Sequence, residues 1–336
     1  MILQHRIDWL SKLGNYMLSN DGAWEEAKHK AFLENSWFTP EFINIAVKNI
    51  VENFLHFDKL VKWAACYKLQ PGDNDESANR QTVGIVMAGN IPLVGFHDLI
   101  SVFVSGHKAA IKASSKDSVL IKHLITILIN EAPQIGERIR FAEMLKDCSA
   151  FIATGSNNTS RYFEFYFGKY SHIIRRNKTS VAILKGNEHA EELEKLADDV
   201  YQFFGLGCRN VTKIYVPGKY DFKPLLGAFT KYNYLADHPK YRNNYDYNLA
   251  MQILGNKFYM TNGSIVLTED ASMFSPISQL NYQYYSDPSL LVPSLSDNPE
   301  LQCIVGRDHI PFGQSQSPTL FDYADRVDTM AFLNSI

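Results

Sequence analysis

The sequence predicts an α/β protein in which a parallel sheet carries helices on both faces. From Thr82 onward, a short apolar run, a glycine-containing turn and a helical pattern follow one another three times. This is the order of elements in a parallel sheet with crossover helices. The chain has 336 residues, of which 46% are hydrophobic. It can therefore fill the cores of two domains, or of one large α/β domain with a satellite.

The residues before Thr82 are predicted to be helical. Apolar periodicity indicates helices over Ile2 to Leu18, Ala23 to Asn35 and Thr39 to Phe57. All four tryptophans fall in this part of the chain, which favours an aromatic-rich helical cap. The polar stretch from Gln70 to Arg80 predicts a loop and the first domain boundary.

Three buried strands are predicted, over Val83 to Met87, Lys108 to Lys112 and Phe151 to Thr154. Helices follow them, from about Leu93 to Ser105, from Asp117 to Glu131, and up to Phe167. Ligands of such sheets bind at the carboxyl ends of the strands. The residues at those ends are Asn90, Ser114, Ser115, Gly155 and Ser156. They form neither a GxGxxG nucleotide fingerprint nor a phosphate-binding P-loop, so spacing alone does not identify the ligand.

A cysteine follows a glycine-rich turn in the second half of the chain. His189 to Phe204 has the periodicity of an amphipathic helix, and Gly205 and Gly207 allow the positive φ that ends a helix. Cys208 comes directly after them. Its thiolate would be a nucleophile if Arg209 or the start of a following helix stabilised the charge. The alternative is a small buried apolar residue, which is the commoner fate of a single cysteine.

The composition excludes several classes of function. A net charge of −3 gives no broad basic surface, so nucleic acid is not an expected partner. The four cysteines are widely spaced and form neither a disulfide framework nor a CxxC metal pattern. Met1 to Ser19 lacks the features of a signal peptide, and no apolar run approaches the ~20 residues that span a bilayer. We therefore expect an unprocessed, soluble, cytoplasmic protein without a metal site.

Five short motifs follow one another from about Thr82 to the end of the chain. They are Gly89-Asn90-Ile91-Pro92-Leu93, Gly106 through Lys112-Ala113-Ser114-Ser115, Thr154-Gly155-Ser156, Gly205-Leu206-Gly207-Cys208, and Pro311-Phe312-Gly313 with Ser317. In order and spacing they resemble the aldehyde dehydrogenase superfamily, and within it the fatty acyl-CoA reductases of the bacterial luminescence type. The resemblance implies a Rossmann-type parallel-sheet cofactor domain and a smaller α/β catalytic domain.

The same resemblance assigns roles to individual residues. It implies that Cys208 is the nucleophile and that the Asn90 side chain helps to hold the oxyanion. Lys112, with Ser114 and Ser115, would meet the adenosine ribose of the cofactor. Gly155 and Ser156 would lie near its pyrophosphate. No histidine receives a role as general acid or base.

Two departures from the family pattern refine the expected function. The glutamate that activates water for hydrolysis in ordinary aldehyde dehydrogenases is absent from the matching stretch, Ile174 to Lys178. A covalent acyl-enzyme should then resist hydrolysis. The glutamate that holds the ribose hydroxyls of NAD is replaced by Ser115, with Lys116 beside it. Loss of this carboxylate should relieve repulsion of a 2′-phosphate, so NADPH is preferred over NADH.

The sequence thus leads to the hypothesis of NADPH-dependent reduction of a fatty acyl thioester, such as acyl-CoA, to the aldehyde. The alternatives are an acyl phosphate reductase of the same superfamily and a non-catalytic binding or scaffolding relative. Residues 1–186 are expected to form the helical cap and cofactor domain, and 187–305 the catalytic domain, with 306–336 returning along the cleft between them. An acyl-activating synthetase is a further possible partner, and we expect a homo-oligomer, most simply a dimer.

Other features keep two interpretations. The N-terminal tryptophans could also line an acyl pocket. Arg175 and Arg176, with Lys178, could bind a phosphate of CoA or NADPH or form a solvated strand entrance. The aromatic run from Tyr162 to Phe167 is more typical of helix core than of a ligand pocket. Tyr232 to Tyr247 could line an acyl channel or form surface loops. Three aspartates spaced by three residues suggest a solvated helical face rather than a cation site: Asp322, Asp325 and Asp328.

Overall fold

The computed structural model describes residues 1–69 and 80–336, which divide into two compact units. The first unit comprises Met1–Asn177 and Ser317–Ile336, and the second comprises Lys178–Gln316. The predicted loop and boundary from Gln70 to Arg80 lies outside the described residues except for Arg80.

Four helices form the N-terminal part of the first unit: α1 (Leu3–Met17), α2 (Gly22–Glu34), α3 (Pro40–Phe54) and α4 (Phe57–Cys66). Three of them were predicted, with ends displaced by up to three residues, whereas α4 was not. The Asp21 carboxylate caps α2 by accepting the N–H groups of Ala23 and Trp24 at 3.0 and 3.1 Å. Trp24 and Trp63 are fully buried in the core of this unit, as expected for an aromatic helical cap.

The sheet of the first unit has five strands: β1 (Thr82–Val86), β2 (Lys108–Lys112), β3 (Ile139–Phe141), β4 (Ala150–Thr154) and β5 (Ser171–Arg175). Their order is β3-β2-β1-β4-β5, and every neighbouring pair is parallel. The predicted parallel sheet is therefore confirmed, and the three predicted strands are its three central ones. The edge strands β3 and β5 were not predicted.

Helices connect these strands: α5 (Phe96–Ser105), α6 (Val119–Glu131) and α7 (Asn157–Phe167), with α12 (Thr329–Asn334) added by the end of the chain. The prediction that the helix after β1 begins at Leu93 was wrong. Leu93 has φ of 57°, outside the helical region, and the helix begins only at Phe96. Likewise α6 begins at Val119 rather than at Asp117. Both displaced starts lengthen the turns at the carboxyl end of the sheet.

The second unit contains six strands: β6 (Thr179–Ile183), β7 (Val211–Pro217), β8 (Met260–Thr261), β9 (Val266–Glu269), β10 (Gln279–Tyr285) and β11 (Leu301–Val305). Its helices are α8 (Ala190–Tyr201), α9 (Phe222–Ala228), α10 (Pro239–Leu254) and α11 (Pro288–Ser296). The strand order is β11-β6-β7-β10-β9-β8, parallel except for the antiparallel edge strand β8. Each unit is thus an α/β layer with its own sheet. Among residues 1–69 and 80–336, no helix has both the length and the apolar character needed to cross a membrane.

Candidate active site

The turn that carries Cys208 begins where α8 ends, at Tyr201. Phe203, Phe204 and Gly205 then take positive φ values of 54°, 57° and 74°. The prediction that this helix reaches Phe204 was wrong. Of the two glycines that allow a positive φ, Gly205 adopts one and Gly207 does not. The two phenylalanine rings are 4% and 1% exposed, so burial of their apolar surface offsets the strain of a left-handed backbone.

Cys208 is partly exposed, whereas Cys148 and Cys303 are buried. The alternative of a fully buried apolar cysteine is therefore wrong for Cys208. Of the two ways to stabilise the thiolate, the start of a following helix does not apply, because β7 begins three residues later at Val211. Helix N–H groups do not follow the thiol, and Arg209 is the cation next to it in the chain.

A buried asparagine organises this turn. Asn210 is fully buried, and its Nδ2 donates to the carbonyl oxygens of Asp199 and Gln202 at 3.1 and 2.9 Å. Its Oδ1 accepts the N–H of Gly207 at 2.8 Å. One amide thus satisfies carbonyls at the end of α8 and holds the residue before Cys208. Sequence reasoning missed Asn210, although a polar residue directly before the apolar strand β7 was a usable signal.

The backbone of Cys208 is held from β6. The Ser180 hydroxyl donates to the carbonyl oxygen of Cys208 at 3.1 Å and lies 3.0 Å from the Cys303 sulfur. Because Ser180 has a single hydroxyl proton, its contact with Cys303 makes the Cys303 thiol the donor. A second, buried thiol therefore lies one hydroxyl away from the backbone of the candidate nucleophile.

The segment with the predicted Pro-Phe-Gly motif is anchored to α8. Asp199 is 1% exposed and accepts the N–H groups of Gly313 and Ser315 at 2.7 and 2.9 Å. Burial raises the pKa of its carboxyl to about 6, against the opposing effect of these hydrogen bonds. The helix before Cys208 and the late motif are therefore parts of one hydrogen-bonded assembly.

The first unit brings together Asn90, Lys112, Ser114 and Ser115 at the carboxyl edge of its sheet. β1 and β2 are neighbours, with Val86 opposite Lys112. Asn90 is exposed in the turn after β1. A groove of about 820 Å³ opens beside the end of β2, and its lining includes Lys112, Ser114, Ser115, Lys122 and Glu143.

Gly155 and Ser156 follow β4, on the other side of β1. Ser156 is the N-cap of α7, and its hydroxyl accepts the N–H of Thr159 at 3.3 Å. A side chain at Gly155 would place its Cβ 2.8 Å from the Phe163 ring, so only glycine fits between β4 and α7. The exposed start of α7 offers N–H groups of the kind that bind anions.

Both interpretations of Arg175, as a phosphate-binding residue and as part of a solvated strand entrance, are wrong. Arg175 ends β5, is 3% exposed, and forms a buried ion pair with Asp98 together with a 2.9 Å bond to the Thr329 hydroxyl. Arg176 is exposed and pairs with Glu164. Ile174 takes the position of the catalytic glutamate in the resemblance, and its side chain is apolar.

Three further expectations need correction. In α7, Tyr162, Phe165 and Tyr166 are 67%, 81% and 62% exposed, so these rings are not helix core.

The segment from Tyr232 to Tyr247 is helical rather than a system of surface loops. The three spaced aspartates share no helical face, because Asp328 caps α12 whereas Asp322 and Asp325 accept hydrogen bonds in turns.

In the part of the chain that the structure describes, no group of three or more His, Cys, Asp or Glu side chains is arranged to hold a metal ion. The site is therefore characterised by a partly exposed thiol in the second unit and by a polar groove with two strand-end turns in the first.

No protein-family model matches the sequence, and no curated protein matches it significantly. Solved structures of other proteins do resemble the structure of this chain. Indole-3-acetaldehyde dehydrogenase in complex with NAD+ superposes with a TM-score of 0.66 at 11% identity, covering 91% of this chain and 72% of that chain. Aldehyde dehydrogenase 21 from Physcomitrella patens, in complex with the reaction product succinate, gives 0.64 at 12% identity over 92% and 74% of the two chains.

A Mycobacterium tuberculosis aldehyde dehydrogenase complexed with NAD+ gives a TM-score of 0.61 at 13% identity, covering 89% of this chain and 72% of that chain. At such identities the likeness is one of backbone architecture. The predicted fold class is therefore confirmed: the chain has the α/β fold of the aldehyde dehydrogenases.

Proposed function

We propose that the protein is an NADPH-dependent acyl-CoA reductase of the luminescence type, which forms an aldehyde through a covalent thioester on Cys208. The observation that carries the proposal is the placement of Cys208. It is partly exposed in a turn fixed by Asn210 and Ser180, in a chain with the aldehyde dehydrogenase fold. A thiol in a rigid turn is suited to nucleophilic catalysis.

In the first half-reaction the Cys208 thiolate attacks the carbonyl carbon of the acyl thioester. The Asn90 amide and the backbone N–H of Cys208 would stabilise the oxyanion, and loss of one such donor typically slows a reaction by ~10²–10³. CoA leaves as a thiolate and needs little help from an acid, since thiol pKa values lie near ~8.5. The products are an acyl-enzyme thioester and free CoA.

NADPH, when bound, supplies the hydride that reduces this thioester. Collapse of the resulting hemithioacetal releases the aldehyde and restores the Cys208 thiol, with one proton taken up from solvent overall. The protein's task in this step is to keep water from the thioester. Ile174 in place of the family's glutamate supports that role, because an isoleucine cannot activate water.

The residues of the first unit fit a dinucleotide. The lining of the groove of about 820 Å³ includes Lys112, Lys122, Ser114 and Ser115, together with the acidic Glu143. These groups can bind ribose hydroxyls and a phosphate. Gly155 and Ser156 at the start of α7 would take the pyrophosphate. The first unit is accordingly proposed as the cofactor domain and the second as the catalytic domain.

The physiological setting belongs to the same proposal. An acyl-activating synthetase would deliver acyl groups to Cys208 in the cytoplasm, and the enzyme would act as a homo-oligomer. A synthetase complex is testable by acyl transfer from the loaded synthetase to wild type but not to Cys208→Ala.

The first experiment is intact-protein mass spectrometry after mixing with acyl-CoAs of increasing chain length, before and after addition of NADPH. The variants are wild type, Cys208→Ala, and Cys66→Ala as a matched control, because Cys66 is an exposed cysteine. We expect one acyl adduct on wild type and on Cys66→Ala, none on Cys208→Ala, and its loss with release of aldehyde when NADPH is added.

An adduct that persists in Cys208→Ala would remove this residue as the nucleophile. If no chain length gives an adduct, direct use of acyl-CoA is wrong. An acyl phosphate then becomes the donor to test, and failure with both donors would favour a non-catalytic relative.

A further inference from the structure

Asp117 is a buried carboxylate between the two strand-end turns of the first unit. It is 6% exposed, and its Oδ2 accepts the N–H of Leu93 at 2.7 Å. Its Oδ1 is also buried and has no hydrogen-bond partner among residues 1–69 and 80–336. Burial raises the pKa of this carboxyl to about 7.

This hydrogen bond joins two turns that carry proposed site residues. Leu93 belongs to the turn after β1, three residues beyond Asn90, whereas Asp117 lies near the end of the loop after β2 that carries Ser114 and Ser115. The turns also touch at Gly89, where an added Cβ would lie 2.5 Å from the Ser114 hydroxyl and 3.1 Å from the Asp117 nitrogen. They therefore form a close-packed pair with Asp117 as their polar link.

The turn that Asp117 holds is strained. Leu93 has φ of 57°, a left-handed conformation that is unfavourable for a leucine by roughly 1 kcal/mol or more. Its side chain is 3% exposed, so packing and the Asp117 bond together keep the backbone in this state. Released from the carboxylate, Leu93 would relax and move the residues just before it.

A buried carboxyl is an expensive way to provide one acceptor. An oxygen without a partner costs roughly 1–3 kcal/mol, and a serine, threonine or asparagine can accept an N–H at lower cost. Strain and unsatisfied polar groups of this kind concentrate at functional sites. Asn90 lies in the turn that this arrangement holds. Its side chain is exposed and carries an amide that can donate a hydrogen bond.

We propose that Asp117 is a positioning residue that fixes Asn90 for catalysis by holding the turn after β1, at Leu93, against the loop after β2. The inference rests on the proposed function, since it takes Asn90 as an oxyanion donor. Asp117 touches neither substrate nor cofactor in this role. It acts through the geometry of the turn alone.

The test is a double-mutant cycle on the single-turnover rate of Cys208 acylation, measured by quenched intact-protein mass spectrometry. The four proteins are wild type, Asp117→Ala, Asn90→Ala and the double variant. We expect Asn90→Ala to slow acylation by ~10²–10³ and Asp117→Ala to slow it by about tenfold or more, with little further loss in the double variant. Asp117→Asn keeps an oxygen acceptor for Leu93 and is expected to stay within about twofold of wild type.

Three results would overturn the inference. The first is an acylation rate in Asp117→Ala equal to that of wild type. The second is a rate reduction by Asp117→Ala that is equally large in the wild-type and Asn90→Ala backgrounds. The third is an acylation rate in Asp117→Asn as low as that in Asp117→Ala. If Asp117→Ala does not fold, Asp117→Ser takes its place in the cycle, since its shorter side chain fits but does not reach Leu93.

Amide hydrogen exchange separates failure of this inference from failure of the proposed function. Positioning predicts faster exchange over residues 89–93 in Asp117→Ala than in wild type and Asp117→Asn, with or without catalysis. Unchanged exchange there overturns this positioning role. If wild type itself takes up no acyl group, the proposed function fails and the role of Asp117 in catalysis fails with it.

Discussion

Oδ1 of Asn210 accepts the backbone N–H of Gly207, three residues before the asparagine, at 2.8 Å, and Cys208 comes directly after the donor. The nucleophile of the proposed reaction is therefore held by a side chain that follows it in the chain. The Nδ2 of Asn210 donates to carbonyl oxygens at the end of α8, so a single amide links the helix, the turn and the residue that precedes β7.

Replacing Asn210 by alanine should destabilise the protein and slow acylation of Cys208. The substitution leaves a buried carbonyl, a partly buried carbonyl and a buried N–H without their present partner, which should lower the free energy of unfolding by about 2–4 kcal/mol. Urea denaturation measures this loss. Asn243→Ala, at an exposed site on α10, is the control and should change stability by less than about 0.5 kcal/mol. Equal effects of the two substitutions would contradict the organising role of Asn210.

Gly89→Ala tests the close contact of the two strand-end turns. The new methyl would lie 2.5 Å from the Ser114 hydroxyl oxygen and 2.8 Å from its Cβ. Overpacking of this kind should lower the free energy of unfolding by about 1–3 kcal/mol. Ser114→Gly in the same chain should recover much of this stability, although the 3.1 Å approach to the Asp117 nitrogen remains. Gly22→Ala, where no atom lies within 4 Å of the added Cβ, should be nearly neutral; a loss there as large as at Gly89 would refute the steric argument.

Glu143→Gln should increase the preference for NADPH over NADH. Glu143 lines the same groove as Lys112 and Lys122 and carries the opposite charge. Its carboxylate would therefore repel a 2′-phosphate bound in this groove. Its neutralisation should tighten NADPH about five- to tenfold relative to NADH. Dissociation constants for both cofactors, from quenching of protein fluorescence, measure the shift.

Glu137→Gln is the matched control for this cofactor prediction, because Glu137 is exposed and lies outside the groove lining. Lys122→Met should change the preference in the opposite direction. A cofactor preference that ignores both Glu143 and Lys122 would place the 2′-phosphate elsewhere.

The pH dependence of stability should report the ionisation of Asp117. Its pKa rises from 3.8 to about 7 on folding because the carboxyl is buried, so the folded state binds more protons than the unfolded state between these values. The contribution of Asp117 to the free energy of unfolding is therefore largest below about pH 4 and falls until about pH 7. Asp117→Asn removes this term.

We expect Asp117→Asn and wild type to converge near pH 4, and the variant to be more stable by up to about 4 kcal/mol near pH 8. Urea unfolding at both pH values makes the comparison. A constant difference between the two proteins would show that the carboxyl does not change its ionisation on folding.

The sequence was informative where a local pattern decides the structure. Buried apolar runs identified β1, β2 and β4, because central strands of a parallel sheet are apolar on both faces. The edge strands β3 and β5 were not predicted. β10, with the sequence Gln-Leu-Asn-Tyr-Gln-Tyr-Tyr, is an interior strand rich in polar residues, and only its neighbours β7 and β9 explain why it is a strand.

In the candidate site, too, some features follow from the local sequence and others depend on tertiary packing. Cys208, Asn90 and the groove serines are visible as motifs, and the structure places each at a turn. Their supports are not visible locally. Asp117 meets Leu93 across 24 residues and Asp199 meets Gly313 across 114, and such pairings depend on tertiary packing. Left-handed Phe203 and Phe204 are likewise set by burial of their rings rather than by backbone preference.

The second unit is inserted into the first along the chain. Lys178–Gln316 separates Met1–Asn177 from Ser317–Ile336, and Thr329 in the last helix accepts a hydrogen bond from Arg175 in the first unit. During synthesis the inserted unit can be finished while the first still lacks its closing segment. A chain that ends before Ser317 would thus have a complete second unit and a first unit without its closing segment.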